Sequence, residues 1–153
     1  MKNLKQSVLL IFSSLLMMLS TNASADFITN STVGAGGYDL TTYQTGKKPL
    51  AGNGNYLSEV DGVNYLFINE ENMNKFNKNK SKYLPQYGGY CAFGASVGKK
   101  FIGDPNVYQV VDGKLYFNLD NGIKTMWVKD IPGNIKKANK NWKKIKHIPA
   151  SEL

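Results

Sequence analysis

The sequence predicts an α+β fold: two β-hairpins forming a small antiparallel sheet, short helices packed on one side, and a C-terminal amphipathic helix. Three observations predict it. The runs "NYLSEV" and "VNYLFI" flank Asp61-Gly62, and "VYQVV" and "KLYFNL" flank Asp112-Gly113. Asp-Gly between strand-forming runs favours the tight hairpin turn, because both of its central residues take positive φ. Near the end, Ile135, Ala138, Trp142 and Ile145 recur at helical spacing while Lys136, Lys137, Lys140, Lys143 and Lys144 fall off that stripe. The lysines read as a solvated face.

The elements follow in order. Residues 1–25 open with Lys2 and Lys5, continue in a mostly apolar run from Ser7 to Ser20, and end in Ala23-Ser24-Ala25. That pattern predicts a secretory signal peptide cleaved after Ala25, and hence a periplasmic or secreted protein with no transmembrane segment after cleavage. The apolar run is shorter than the ~20 residues a membrane span needs. Residues 26–35 read as a flexible leader, and 36–147 as one domain. After the first hairpin, Asn69 is a candidate N-cap, and Glu70 and Glu71 suit the positive end of a helix dipole. Met73 and Phe76 would face the hairpin, and the helix should stop before Pro85. Residues 123–130 fit a helix or a strand, with a second short helix the favoured expectation, and Pro132 stands where the closing helix begins. The two hairpins invite comparison with each other, yet the sequence reads as holding no internal repeat.

Lysine and arginine total 19 against 11 acids, and none of the basic residues is arginine. Surfaces that read nucleic acid normally use arginine's planar fork, so the charge points to solubility or attraction to an anionic envelope rather than to nucleic acid. The chain has one cysteine and one histidine. It must therefore fold without an internal disulfide, which a core of this size permits, since about two thirds of the unfolded surface is buried at such a length.

The lone thiol sits in "YLPQYGGYCAF", residues 83–93. Gly88-Gly89 permits positive φ or close approach of another group. A helix beginning at Tyr90-Cys91-Ala92 would place the thiol at a helix N-terminus, where its pKa falls. Cys91 with His147 is a candidate pair for a soft metal ion, although tight zinc or copper sites want three or four ligands. A catalytic thiol needs a base, and His147 is the one histidine. The plainer reading is that Cys91 packs as a small apolar side chain among Tyr83, Tyr87, Tyr90 and Phe93.

The stretches "YDLTTY", "VNYLFINEENMNKF" and "YLPQYGGYCAF" resemble the YHS domain in the form found in small exported proteins, and "GDPNVYQVVDGKLYFNLD" is similar to that subfamily's continuation. The likeness spans about residues 36–145. It implies Tyr38, Asp39, Tyr87, Gly88, Gly89, Tyr90 and Cys91 as the motif residues. It also implies kinship with cysteine-rich metal-binding modules. The metal-binding branch carries cysteines near the start and after the second strand. Here those places hold Tyr38-Asp39-Leu40-Thr41-Thr42-Tyr43 and Phe67-Ile68-Asn69-Glu70-Glu71-Asn72. Many exported relatives also carry a histidine where this chain has Gln44. The resemblance thus implies the scaffold without that branch's metal site.

Three expectations result. The first is a non-enzymatic exported binding module whose ligand is a metal ion, copper or zinc, at Cys91, or a small molecule. The second is a small thiol-dependent redox enzyme centred on Cys91. The third is a purely structural interaction domain.

Overall fold

The computed structural model describes residues 32–153, which lie in a compact unit spanning Ser31–Leu153. The signal peptide expectation, residues 1–25, lies outside the described residues. Among the described residues no helix is long and apolar enough to cross a membrane.

The fold is α+β. Strand β1 (Thr32–Val33) leads into a glycine turn at Gly34–Gly37 and a 3-10 turn at Thr42–Thr45. The first hairpin is β2 (Asn53–Val60) and β3 (Val63–Phe67), followed by helices α1 (Glu70–Lys78) and α2 (Lys80–Tyr83). A second glycine turn, Gln86–Gly89, precedes helix α3 (Ala92–Ser96). The second hairpin is β4 (Asp104–Val111) and β5 (Lys114–Asn118), followed by α4 (Asn121–Val128) and α5 (Ile131–Ile145).

Both hairpins stand where the sequence places them, but they form two sheets rather than one. One has the order β1-β3-β2 and the other is β4-β5. Strand β1 pairs parallel with β3, Thr32 opposite Val63. Thr32 and Val33, read from the sequence as leader, are therefore part of the sheet. Asn69 caps α1, accepting the Asn72 N–H at 2.9 Å. Asn79 then breaks the helix with φ −151° and caps α2 in turn.

The structure contains a repeat that the sequence reading passed over. The first glycine turn has Ala35 at φ 52°, ψ 32° and Gly36 at φ 57°, ψ 23°; the second has Tyr87 at φ 56°, ψ 34° and Gly88 at φ 62°, ψ 22°. Each turn is followed by a tyrosine in an isolated antiparallel bridge, Tyr38 with Ala51 and Tyr90 with Ile102. The next backbone N–H reaches across the following loop in each case, Asp39 to the Leu50 carbonyl at 2.9 Å and Cys91 to the Phe101 carbonyl at 2.8 Å. Both hairpins turn at Asp-Gly with positive φ, Asp61-Gly62 and Asp112-Gly113. Both carry the same irregularity, between Asn53 and Leu57 and between Asp104 and Tyr108. Both end in an extended cap residue, Asn69 and Asp120, that opens a helix. The chain is thus two tandem copies of one turn–loop–hairpin–helix unit, with α5 added to the second.

Strand β5 is the wall between two cores. Its side chains alternate. Leu115 and Phe117 enter the core of the first unit, with Leu40, Tyr43, Tyr65, Phe67, Phe76 and Tyr83. Tyr116 faces the other way, into a core with Tyr87, Ala92, Ala95, Trp127 and Ala138. Tyr43 crosses between the units: its hydroxyl donates to the Pro105 carbonyl at 2.9 Å, and its ring meets Tyr108 edge-on at 4.8 Å.

Candidate functional site

The two glycine turns face one cleft of about 580 Å³. The first unit lines it with Val33, Ala35, Gly36 and Tyr65, the second with Gly88, Gly89, Tyr90 and Ile102. Among the described residues its lining holds no charged side chain. Positive φ explains the glycines at Gly36 and Gly88, where a side chain would strain the backbone. At Gly103, also on the wall, the reason is space: a Cβ there would stand 2.6 Å from the Phe117 Cβ and 2.7 Å from the Gly89 carbonyl oxygen. A Cβ on Gly36 would stand 3.2 Å from Pro105 Cγ, so the first turn lies against β4 of the second unit.

Beneath the second turn lies Cys91, fully buried and unpaired. Its sulfur caps α3 by accepting the Gly94 N–H at 3.3 Å, and its thiol points at Asn118 Oδ1, 3.9 Å away. Asn118 Oδ1 also accepts the Phe93 N–H at 3.4 Å. In the first unit the equivalent residue is Asp39, likewise fully buried. Asp39 Oδ1 accepts the Thr41 N–H at 2.9 Å and its hydroxyl at 2.8 Å; Oδ2 accepts the Ile68 N–H at 3.0 Å and the Asn72 amide at 2.8 Å. Four donors thus compensate a carboxylate shut away from water.

The sequence candidates separate in space. Gly88, Gly89 and Tyr90 line the cleft. Tyr87 is buried behind them, its hydroxyl donating to Asn139 Oδ1 at 2.9 Å and its ring 5.7 Å from Trp142. Tyr38 is half-buried and donates to Asn106 Oδ1 at 2.9 Å. Cys91 is the N-cap of α3, whereas Asp39 ties its own turn at Thr41 to Ile68 and Asn72. His147 is exposed, just past the end of α5. Among the described residues no three of His, Cys, Asp and Glu stand together as a metal-holding group.

Two residues of the site went unread in the sequence. Asn118 holds the start of α3 and the thiol. It stands where the first unit has Phe67, and Trp127 stands where it has Phe76, whose ring lies 5.0 Å from that of Phe67. Asn118 Nδ2 and Trp127 Nε1 are buried donors with no acceptor among the described residues. The signal that could have found the equivalence is the recurrence of Gly-Gly-Tyr, Gly-Lys-Lys and Asp-Gly in the same order in each unit.

Burial dominates the titration of the tyrosines. The Tyr43 phenol is pushed well above its ordinary value near 10, first by desolvation and then by Tyr38, Tyr108 and Asp104. Tyr87 is pushed up as strongly, by desolvation and then by Tyr116. Tyr65 and Tyr116 shift the same way, again chiefly by desolvation.

Against known proteins the chain finds no matching family model, no matching curated protein and no matching solved structure.

Proposed function

We propose that this chain is an exported, non-enzymatic binding module of the YHS type, and that it takes a small, neutral, largely apolar ligand between its two glycine turns. One observation carries the reading: the cleft of about 580 Å³ is walled by both units, mostly with backbone and apolar side chains. Concave, mostly apolar sites of this size are where small molecules bind. Bare glycine backbone brings peptide planes close to a flat ligand, and Tyr65, Tyr90 and Phe117 supply aromatic contact. Copper or zinc at Cys91 with His147 has less support. The sulfur is enclosed and engaged as a helix cap, while the imidazole is exposed.

The experiment is an amide NMR titration with 1-naphthol, a neutral aromatic probe. Shifts should cluster at Ala35, Gly36, Gly88, Gly89 and Tyr90, and Val33→Trp should weaken binding about tenfold by filling one wall. Shifts confined to α5, or naphthol affinity unchanged in Val33→Trp, would reject the cleft. A parallel titration with copper(I) tests the metal alternative. Tight binding lost in Cys91→Ser would favour it.

A further inference from the structure

The loop between α3 and β4 leaves three apolar side chains in solvent, Val97 at 57%, Phe101 at 46% and Ile102 at 81% exposure. Single exposed hydrophobes need no explanation, but three within six residues do. Lys99 is exposed among them. Lys100 is turned inward instead. Its ammonium donates to the carbonyls of Lys146 at 3.0 Å and Ile148 at 2.6 Å, and lies 5.3 Å from the Tyr90 ring centre and 5.4 Å from that of Trp142. These contacts fasten the loop to the residues just past α5, where Lys146 is exposed; Lys143 and Lys144, also exposed, stand in the last turn of that helix. No acidic residue occurs between Ala92 and Gly103 or between Ile131 and Ser151.

We propose that this apolar tip with its lysine border docks on an anionic lipid bilayer. The chemistry fits in both parts. Val97, Phe101 and Ile102 reach the boundary between headgroups and acyl chains, while the lysines stay at headgroup level. Each lysine near an anionic surface raises partitioning about fivefold, and salt removes that gain because screening acts over about 8 Å at physiological ionic strength. The apolar part supplies what charge alone lacks: attachment that survives some salt and distinguishes a bilayer from a dissolved polyanion. Leu57 offers an internal contrast. It is exposed at 47% on β2, but Glu59 and Asp61 stand close by in the chain, so it should not contribute.

The test is vesicle flotation with the chain starting at Asp26. The apolar run of residues 7–20 then supplies no contact, and the unit Ser31–Leu153 keeps its own core. Vesicles are equal parts phosphatidylglycerol and phosphatidylcholine, or phosphatidylcholine alone. Binding should be at least tenfold stronger to the anionic vesicles. It should fall at least tenfold in Val97→Asp/Ile102→Asp and about fivefold or more in Lys99→Glu. Leu57→Asp should bind as the parent does, and circular dichroism melts should show all variants folded. A Val97→Ser/Ile102→Ser pair, which adds no charge, should also lose binding. Equal binding to both vesicle types would overturn the proposal. So would loop variants that float like the parent, or heparin binding as tight as vesicle binding and unaffected by the serine pair. Because Ile102 also borders the cleft, naphthol binding is measured on Val97→Asp alone. It should be unchanged there, which keeps a failure of the docking surface distinct from a failure of the cleft.

Discussion

The two units share a backbone and differ in what fills it. In the first, the residue after Gly-Gly-Tyr is a carboxylate with four donors; in the second it is a thiol that accepts one N–H. In the first, the strand end and the following helix meet through two phenylalanine rings; in the second, Asn118 and Trp127 occupy those places. The same scaffold is thus held by a charged polar network on one side and by small-residue packing around a sulfur on the other. The lesson concerns Cys91. Its place is explained locally: it accepts the Gly94 N–H as the N-cap of α3, and a weak acceptor suffices because α3 is only five residues long and packs tightly against α5.

The largest effect expected from breaking this comparison is at Asp39. Asp39→Ala leaves the Thr41 amide and hydroxyl, both buried, and the part-buried Ile68 and Asn72 amides without their acceptor, at a cost of about 1–3 kcal/mol for each buried donor and less for each part-buried one. Urea unfolding should show a loss of about 4 kcal/mol. The matched change Cys91→Ser keeps an acceptor for Gly94 and should cost only about 1 kcal/mol. Equal losses at the two positions would mean that the thiol does more than cap a helix.

Next is the packing of the glycine turns. Gly103→Ala puts a methyl against Phe117 and the Gly89 carbonyl, and Gly52→Ala puts one against the Leu66–Phe67 backbone at the equivalent point of the first hairpin. Each should cost about 3 kcal/mol, as overpacking does. Gly54→Ala, with nothing near the added methyl, should be almost neutral in the same assay.

A smaller effect is expected at Trp127. Trp127→Phe makes the second core resemble the first and removes a buried donor with no protein partner. The volume lost and the donor removed act in opposite directions, so stability should change by no more than about 1 kcal/mol, where an ordinary large-to-small change of a buried tryptophan costs about 3 or more.

The pH dependence involves both units together. Tyr43 and Tyr65 in the first, and Tyr87 and Tyr116 in the second, have folded pKa values raised above the ordinary value near 10. Above pH 10 the unfolded chain loses phenolic protons that the folded chain retains, so stability is fully present below that value and falls as pH rises. For Tyr43 and Tyr87, whose shifts are the largest, the slope should approach about 1.4 kcal/mol per pH unit each between the unfolded and the folded values, and Tyr65 and Tyr116 add in the same direction. Tyr87→Phe should make the alkaline loss shallower, and a guanidinium series from pH 8 to 11 would measure it.

Much of the fold was legible locally. Asp-Gly between alternating runs located both hairpins, Asn69 announced its helix, and the spacing from Ile135 to Ile145 gave α5. The sequence places the boundary between leader and domain at residues 35 and 36, inside "GAGG", because glycine is ambiguous by itself: freedom to take positive φ serves a loose leader and a tight turn equally. Only the partner strand β3, distant in sequence, decides between them. The site was less legible still. The cleft arises from two turns brought face to face by tertiary packing, and Asn118 looks in sequence like any polar residue at a strand end. The repeat is faint in sequence because what recurs is short and glycine-based, Gly-Gly-Tyr, Gly-Lys-Lys and Asp-Gly, whereas the buried positions differ, Asp39 against Cys91 and Phe67 against Asn118.

The account rests on Cys91 being a sealed cap, and thiol labelling by Ellman's reagent addresses that most directly. The folded protein should react only as fast as it unfolds or opens globally, with protection matching the urea-derived stability and reduced in the Asp39→Ala variant by the stability that variant loses. Prompt labelling of Cys91 in native buffer, at a rate near that of a free thiol, would contradict it.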